Sequence, residues 1–211
     1  MRNYTLLDKI IAGVDASINT VFLSQLASRS TPGGHVLSTD LLPVEKRRSQ
    51  GFMRVNHSGE VCAQALYRGQ LVFAKSDTVR HMLAQAAIEE TDHLAWTHQR
   101  LQELAAHRSY LNFFWYLNSF CIGLLASQLG DQWSLGFVEE TERQVSAHLT
   151  GHLHHLSKED GRSQAIILQM REDEEGHRES AKQLGAFELP LIIKMLMRWH
   201  AKVLTTVAYY V

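Results

Sequence analysis

Apolar residues recur at helical spacing along much of this chain, and short polar breaks separate the periodic stretches. Between Tyr4 and Leu26, the positions Leu6, Leu7, Ile10, Ile11 and Val14 fall on one stripe, which predicts an N-terminal amphipathic helix. From Ser28 to Gln50 the period is lost. Thr31-Pro32-Gly33-Gly34 and Pro43 interrupt it, the basic cluster Lys46-Arg47-Arg48 follows, and the segment reads as a loop. A helix is expected to begin around Asn56-His57-Ser58-Gly59. Lys75-Ser76-Asp77-Thr78 and Ser157-Lys158-Glu159-Asp160-Gly161-Arg162-Ser163 are polar breaks of the kind that end one helix and cap the next.

Two further stretches stand out by their lack of charge. Ser109 to Gly130 is 22 residues without a formal charge and includes Phe113-Phe114-Trp115-Tyr116 and Cys121-Ile122-Gly123-Leu124-Leu125. It is long enough to cross a bilayer, yet Asn112, Asn118, Ser119, Ser127 and Gln128 interrupt it. A crossover helix about 33 Å long, connecting two antiparallel pairs of a bundle, explains it as well. Leu189 to Trp199 mixes apolar residues with Lys194 and Arg198, and Lys202 follows. This suits either a helix lying in a membrane interface or one buried on the bundle. The expected fold is all-α: a four-helix bundle with a long crossover helix and amphipathic helices at both ends.

Some polar residues sit where a solvated face does not explain them. Glu60 precedes Glu90-Thr91-Asp92-His93 by 30 residues, and Glu142 precedes Glu174-Glu175-Gly176-His177 by 32, with a polar break between the members of each set. Counting from the turns, each lone Glu comes level with its Glu-x-x-His partner across an antiparallel helix pair. Glu and His three apart project from one helix face. Four carboxylates in one core are costly unless something neutralises them. Two divalent cations would do so, and four Glu with two His are the ligands of a carboxylate-bridged di-iron or di-manganese centre. Glu139 and Glu140 are also near enough to serve in the third helix. Glu142 best preserves the spacing, and Glu139 is the reserve. Gln64 and Tyr67 share the Glu60 stripe, either supporting the ligands or simply packing.

Composition narrows the class. With 211 residues, 45% hydrophobic content and three prolines, the chain suits a single domain in which residues 1–50 form the N-terminal helix and loop and 51–211 the bundle. A net charge of −1 argues against nucleic acid. Of the twelve histidines, His35, His81, His98, His107 and His200 have no partner identifiable by spacing, and His152, His154 and His155 read as a solvated face. Cys62 and Cys121 fit no metal spacing and no pair, which points to a reducing intracellular compartment. No secretory signal is evident at the N-terminus.

Arg54-Val55-Asn56-His57-Ser58-Gly59-Glu60, with Glu90-x-x-His93, Glu142-x5-His148 and Glu174-x-x-His177, resembles the bacterial Coq7-type demethoxyubiquinone hydroxylases of ubiquinone biosynthesis, over nearly the whole chain from Arg47 onward. The resemblance implies a ferritin-like bundle in which Glu60, Glu90, His93, Glu142, Glu174 and His177 hold two Fe ions per subunit. It favours Glu142 over Glu139, because His148 stands at the family's distance after it. It implies an O2-dependent di-iron monooxygenase that hydroxylates 2-polyprenyl-3-methyl-6-methoxy-1,4-benzoquinol, with electrons from NADH or from the quinol itself. No Gly-rich dinucleotide fingerprint is present. Peripheral attachment to the cytoplasmic face of the bacterial cell membrane, other ubiquinone-biosynthesis proteins and a homo-oligomer are the implied partners. An iron-storage or peroxide-scavenging bundle is the rival reading, since it would use the same ligands.

Overall fold

The computed structural model describes residues 15, 17–36 and 40–211, and among them the regular structure is all helical. Six long helices follow one another: α1 (Pro43–Leu71), α2 (Asp77–Glu103), α3 (Asn112–Gln128), α4 (Asp131–His155), α5 (Gly161–Gln183) and α6 (Leu191–Tyr210). The pairs α1/α2 and α4/α5 are antiparallel hairpins that pack into a four-helix bundle, while α3 and α6 lie outside it. Most of the expected N-terminal helix falls on residues outside the described ones. Helix is seen at residues 17–22, and the chain from residue 24 to 27 is not helical, so the expected run to Leu26 stops short.

α1 begins at Pro43, well before Asn56, and the second part of the segment expected as loop is helix. Pro43 occupies the first turn, where its fixed φ is already helical and its missing N–H costs nothing. Glu45 accepts a hydrogen bond from the Leu42 N–H at 2.9 Å and from Ser157 Oγ at 2.7 Å. The boundary expected at residue 50 therefore lies inside a helix. The turns fall where the polar breaks are. Asp131 accepts from the N–H groups of Lys75 and Ser76 at 3.0 and 2.8 Å, tying the α1–α2 turn to the start of α4. At the opposite end, buried Asp160 caps α5 through the Ser163 N–H at 3.1 Å, pairs with Arg100 of α2 at 2.8 Å and accepts from Ser49 of α1.

α3 is shorter than the charge-free stretch: its 17 residues span about 25 Å, and loops supply the remaining reach of the crossover. It packs chiefly on α1. Its buried face carries Asn112, Ser119, Gly123 and Ser127, while Phe113, Phe114, Leu117 and Leu125 are exposed. Small residues are required at the contact. A Cβ on Gly69 would collide with the Phe120 carbonyl, and one on Gly123 with the Leu66 carbonyl. Ser58 Oγ donates to Asn112 Oδ1 at 2.9 Å across the same contact. Most of the polar residues that interrupt the apolar run are thus those that dock the helix, with Asn118 and Gln128 left exposed. α6 buries only Leu204 and Ala208. Among the described residues, no helix is long and apolar enough to cross a membrane.

The bundle interior has two apolar layers. Met53, Trp96, Leu101, Leu149, Ile166, Ile167 and Met170 fill the half toward the start of α1, and Tyr67, Val79, Leu83, Leu135, Val138 and Ala181 fill the other. Between the layers the interior is polar.

Candidate metal centre

Glu60 of α1, Glu90 and His93 of α2, Glu142 of α4, and Glu174 and His177 of α5 meet between these layers, all of them buried. They form two overlapping groups able to hold a cation: Glu60, Glu90, His93 and Glu174, and Glu90, Glu142, Glu174 and His177. Within each group the potential ligand atoms lie within 4.8 Å of one another. Glu90 and Glu174 belong to both. Each imidazole points Nδ1 inward. His93 Nδ1 is 3.1 Å from Glu90 and 3.4 Å from Glu174, and His177 Nδ1 is 3.3 Å from Glu174 and 3.6 Å from Glu90.

The outward nitrogens are held by two acids that spacing had not singled out. His93 Nε2 is 2.8 Å from Asp173, and His177 Nε2 is 2.9 Å from Glu89. Each acid immediately precedes the ligand Glu of the other helix's motif, so each Glu-x-x-His helix orients the imidazole of its neighbour. An acid just before the Glu of each Glu-x-x-His motif is the signal the sequence offers. An acceptor on Nε2 keeps a proton there, so that a cation displacing the proton on Nδ1 would meet its lone pair.

The electrostatics fit a cation site. Burial, reinforced by Glu90, pushes the Glu60 carboxyl well above its ordinary range, and burial with Glu174 does the same to Glu142. Burial opposes charge on both imidazoles, but the surrounding carboxylates outweigh it: His93 is held well above its usual value, and His177 is raised to about 11. Against its own burial, Glu174 is held below the usual carboxylate range by His177 and His93. Protons on these groups partly offset the crowded charge, as divalent cations would do more completely. Glu90 Oε1, Glu142 Oε2 and Glu174 Oε1 are buried without a hydrogen-bond partner. Lone pairs left free at the centre of a carboxylate and imidazole cluster are what a metal would use.

Other candidates separate clearly. Glu139, the reserve, faces Arg178 at 3.0 Å, and Glu140 pairs with Arg143 at 2.6 Å. Tyr67 donates to Glu142 Oε1 and is fully buried, whereas Gln64 ties α1 to α2 through Thr91 Oγ1 at 2.8 Å. His148 lies outside both groups. Its Nε2 is buried without a partner, and burial lowers its pKa to about 4. His152 is not on a solvated face. It stacks on Phe52 at 4.3 Å and its Nδ1 is 2.8 Å from Asn56 Oδ1, because α1 extends further back than expected and covers it; His154 and His155 are exposed. His57 is the buried histidine that spacing missed. It lies near Asn112 and His98, and burial pushes it down to about 3. His98 also has neighbours, Ser24 Oγ and Gln102 Nε2, each 3.2 Å away. Cys62 and Cys121 are both free.

The family model for ubiquinone biosynthesis protein COQ7 matches residues 47–208. The chain belongs to the COQ7 family. Among its COQ7 relatives, the 3-demethoxyubiquinol 3-hydroxylase of Coxiella burnetii is 51% identical over 210 residues, covering 100% of this chain and 98% of that protein. Those of Nitrosospira multiformis and Dechloromonas aromatica, named likewise, are 49% and 48% identical, covering 97% and 96% of this chain and 99% and 98% of theirs. The match begins at Arg47, where the resemblance read from the sequence also begins.

Proposed function

We propose that this protein is an O2-dependent di-iron monooxygenase that hydroxylates 2-polyprenyl-3-methyl-6-methoxy-1,4-benzoquinol in ubiquinone biosynthesis, working at the cytoplasmic face of the bacterial cell membrane. The observation that carries the reading is the sharing of Glu90 and Glu174 between two cation-binding groups that each end in one imidazole Nδ1. Shared carboxylates suit a pair of metal ions, and an oxygen-rich set with one imidazole per ion suits iron or manganese. The hydroxylase names of the relatives favour iron and a quinol.

In this reading Glu60 and His93 would hold one ion and Glu142 and His177 the other, with Glu90 and Glu174 within reach of both. When bound, two ferrous ions supply the electrons and open coordination positions that activate O2. Asp173 and Glu89 keep the imidazoles aimed inward, and the apolar layers on either side exclude water. Tyr67 holds a proton against Glu142. One oxygen atom would enter the ring and the other leave as water, which consumes two protons and two electrons, the electrons coming from NADH or from the quinol itself. The exposed apolar residues of α3 and α6, with Arg198 and Lys202 beside Trp199, suit a surface that meets lipid and receives a polyprenyl tail. The hydroxylase names of the relatives give no support to an iron-storage or peroxide-scavenging bundle.

The test is iron quantification on the purified protein combined with mass spectrometry of quinones after ¹⁸O2 supply, in cells lacking the protein and in cells given it back. Bound iron and one ¹⁸O in the new ring hydroxyl are expected, together with accumulation of the demethoxy precursor when the protein is absent. Iron without label in the ring would leave a metal protein of another activity.

A further inference from the structure

Outside the bundle, the chain from residue 23 to residue 31 adopts no regular element, yet it is pinned at both ends. At its start the Arg108 guanidinium donates to the carbonyls of Phe22 and Leu23 at 3.1 and 3.2 Å, and Phe22 stacks on Phe113 of α3. At its end Ser28 and Arg29 converge on Asp92 of α2. The Ser28 N–H donates at 2.6 Å, Ser28 Oγ at 3.1 Å and Arg29 Nε at 2.7 Å. Arg29 also lies 4.7 Å over the ring of Trp96 and receives the Trp96 indole N–H on its carbonyl at 3.4 Å.

The other end of the same guanidinium reaches the metal centre's support. Arg29 Nη2 is 2.9 Å from Asp173 Oδ2, the atom that also sits 2.8 Å from His93 Nε2. Asp92 and Asp173 come from different helices of the bundle, and one cation from outside the bundle spans them. Remove that cation and Asp173 keeps only His93 on Oδ2 and Gln169 at 3.0 Å on its other oxygen. The acceptor that fixes His93 would then lose its own anchor.

We propose that Arg29 is a positioning residue for the metal centre, and that cation binding at His93 tightens the docking of the strap formed by residues 23–31. The inference rests on His93 being a ligand. The coupling runs both ways by thermodynamic necessity: whatever Arg29 contributes to metal affinity, the metal returns to the strap. Nothing in this requires the strap to touch an ion.

Trypsin cleaves after Arg29, so strap docking can be read directly. In the wild type, saturating Mn2+ is expected to slow cleavage after Arg29 by roughly 5–150-fold, the usual range of coupling between sites. The cut after Lys158, in the turn before α5, serves as the reference. In Asp173→Asn that metal dependence should vanish. Arg29→Gln should weaken Mn2+ binding about 10–100-fold, the usual effect of removing support from a ligand. Arg29→Lys should recover part of the loss, because an ammonium group reaches one of the two acids but not both. Wild-type Mn2+ affinity in Arg29→Gln, together with cleavage after Arg29 of the wild-type chain that ignores the metal, would overturn the proposal. No Mn2+ uptake by the wild type would instead remove the metal centre itself, and the role of the strap with it.

Discussion

Halfway along the bundle, four carboxylates and two imidazoles from α1, α2, α4 and α5 face one another out of contact with water. On the outer faces of α3 and α6, Phe114, Leu125, Leu196 and Trp199 are each 62–68% exposed. The two regions exchange the usual places of polar and apolar residues, and each is costly without a complement. Buried anions need cations or protons, and an exposed apolar face of this size needs an apolar phase or partner. The inner region is dense with internal partners, the two imidazoles alone engaging Asp173, Glu89, Glu90 and Glu174, and leaves only the inward oxygens Glu90 Oε1, Glu142 Oε2 and Glu174 Oε1 unpaired. The outer region has fewer: α6 buries only Leu204 and Ala208 and is tied down mainly at its C-terminal end, where Tyr209 packs on Phe52 and its carbonyl accepts from Arg54 Nη1 at 2.6 Å. Complexity of contacts inside and bareness outside suggest different complements, ions for one and a surface for the other.

The strongest way to break this contrast is at a shared carboxylate. Glu90→Ala or Glu174→Ala should abolish tight binding of both ions, with a loss beyond the ~100-fold seen for supporting groups. Glu60→Ala should leave the ion held near Glu142 and His177. Equilibrium dialysis with metal analysis distinguishes the two patterns, and equal retention in all three variants would mean that the carboxylates are not shared.

The outer region is tested by Leu196→Glu combined with Trp199→Glu. Removing two apolar side chains from a lipid contact, each worth about 1.5–3 kcal/mol, should lower binding to anionic vesicles by at least about 100-fold. Metal uptake should not change. If sedimentation with vesicles is the same as for the wild type, the exposed face of α6 serves something other than lipid.

Gly123→Ala probes the contact that turns the apolar face of α3 outward. The added methyl meets the Leu66 backbone, so α3 must shift from α1, at a cost of about 1–3 kcal/mol. A fall in the thermal midpoint with the metal stoichiometry intact is expected. An unchanged midpoint would show that α3 sits further from α1.

The smallest effect is a slope. His57 is neutral in the core because burial lowers its pKa from 6.5 to about 3. Between those values the unfolded chain binds a proton that the folded one does not, so stability is complete above pH 6.5 and declines as pH falls toward 3. The contribution is about 1.4 kcal/mol per pH unit over that window. His57→Gln should flatten the dependence by about that amount, measured as the difference in denaturant-unfolding free energy between pH 5.5 and 4.5. Parallel slopes would place a water-accessible His57 in the folded state.

Much of the inner region was legible before the structure. Glu60, Glu90, His93, Glu142, Glu174 and His177 could be brought together because a helix converts sequence distance into height, and two polar turns set the zero of each hairpin. Spacing favours Glu142 over Glu139, and the fold supplies the physical reason. In the fold Glu139 meets Arg178, a contact between helices that no local period reveals. Pro43 was read as a breaker although it is a favourable first helical residue, so α1 was begun too late and the packing of His152 against it was missed. The outer region was legible as composition but not as orientation. Asn112, Ser119 and Ser127 looked like interruptions, and they are the docking face.

By itself, the sequence determined which residues can carry the chemistry, that they lie on helices, and that they fall at one height, because these follow from residue type and from the fixed rise and turn of the α-helix. Tertiary structure alone decided which acids support which imidazole, that Glu90 and Glu174 each face two ligand groups, and that a residue before the bundle reaches Asp173. It also decided that α3 turns its apolar side outward. These depend on how helices rotate and pack against one another, and packing is set by contacts between residues far apart in the chain, for which no local period carries a signal.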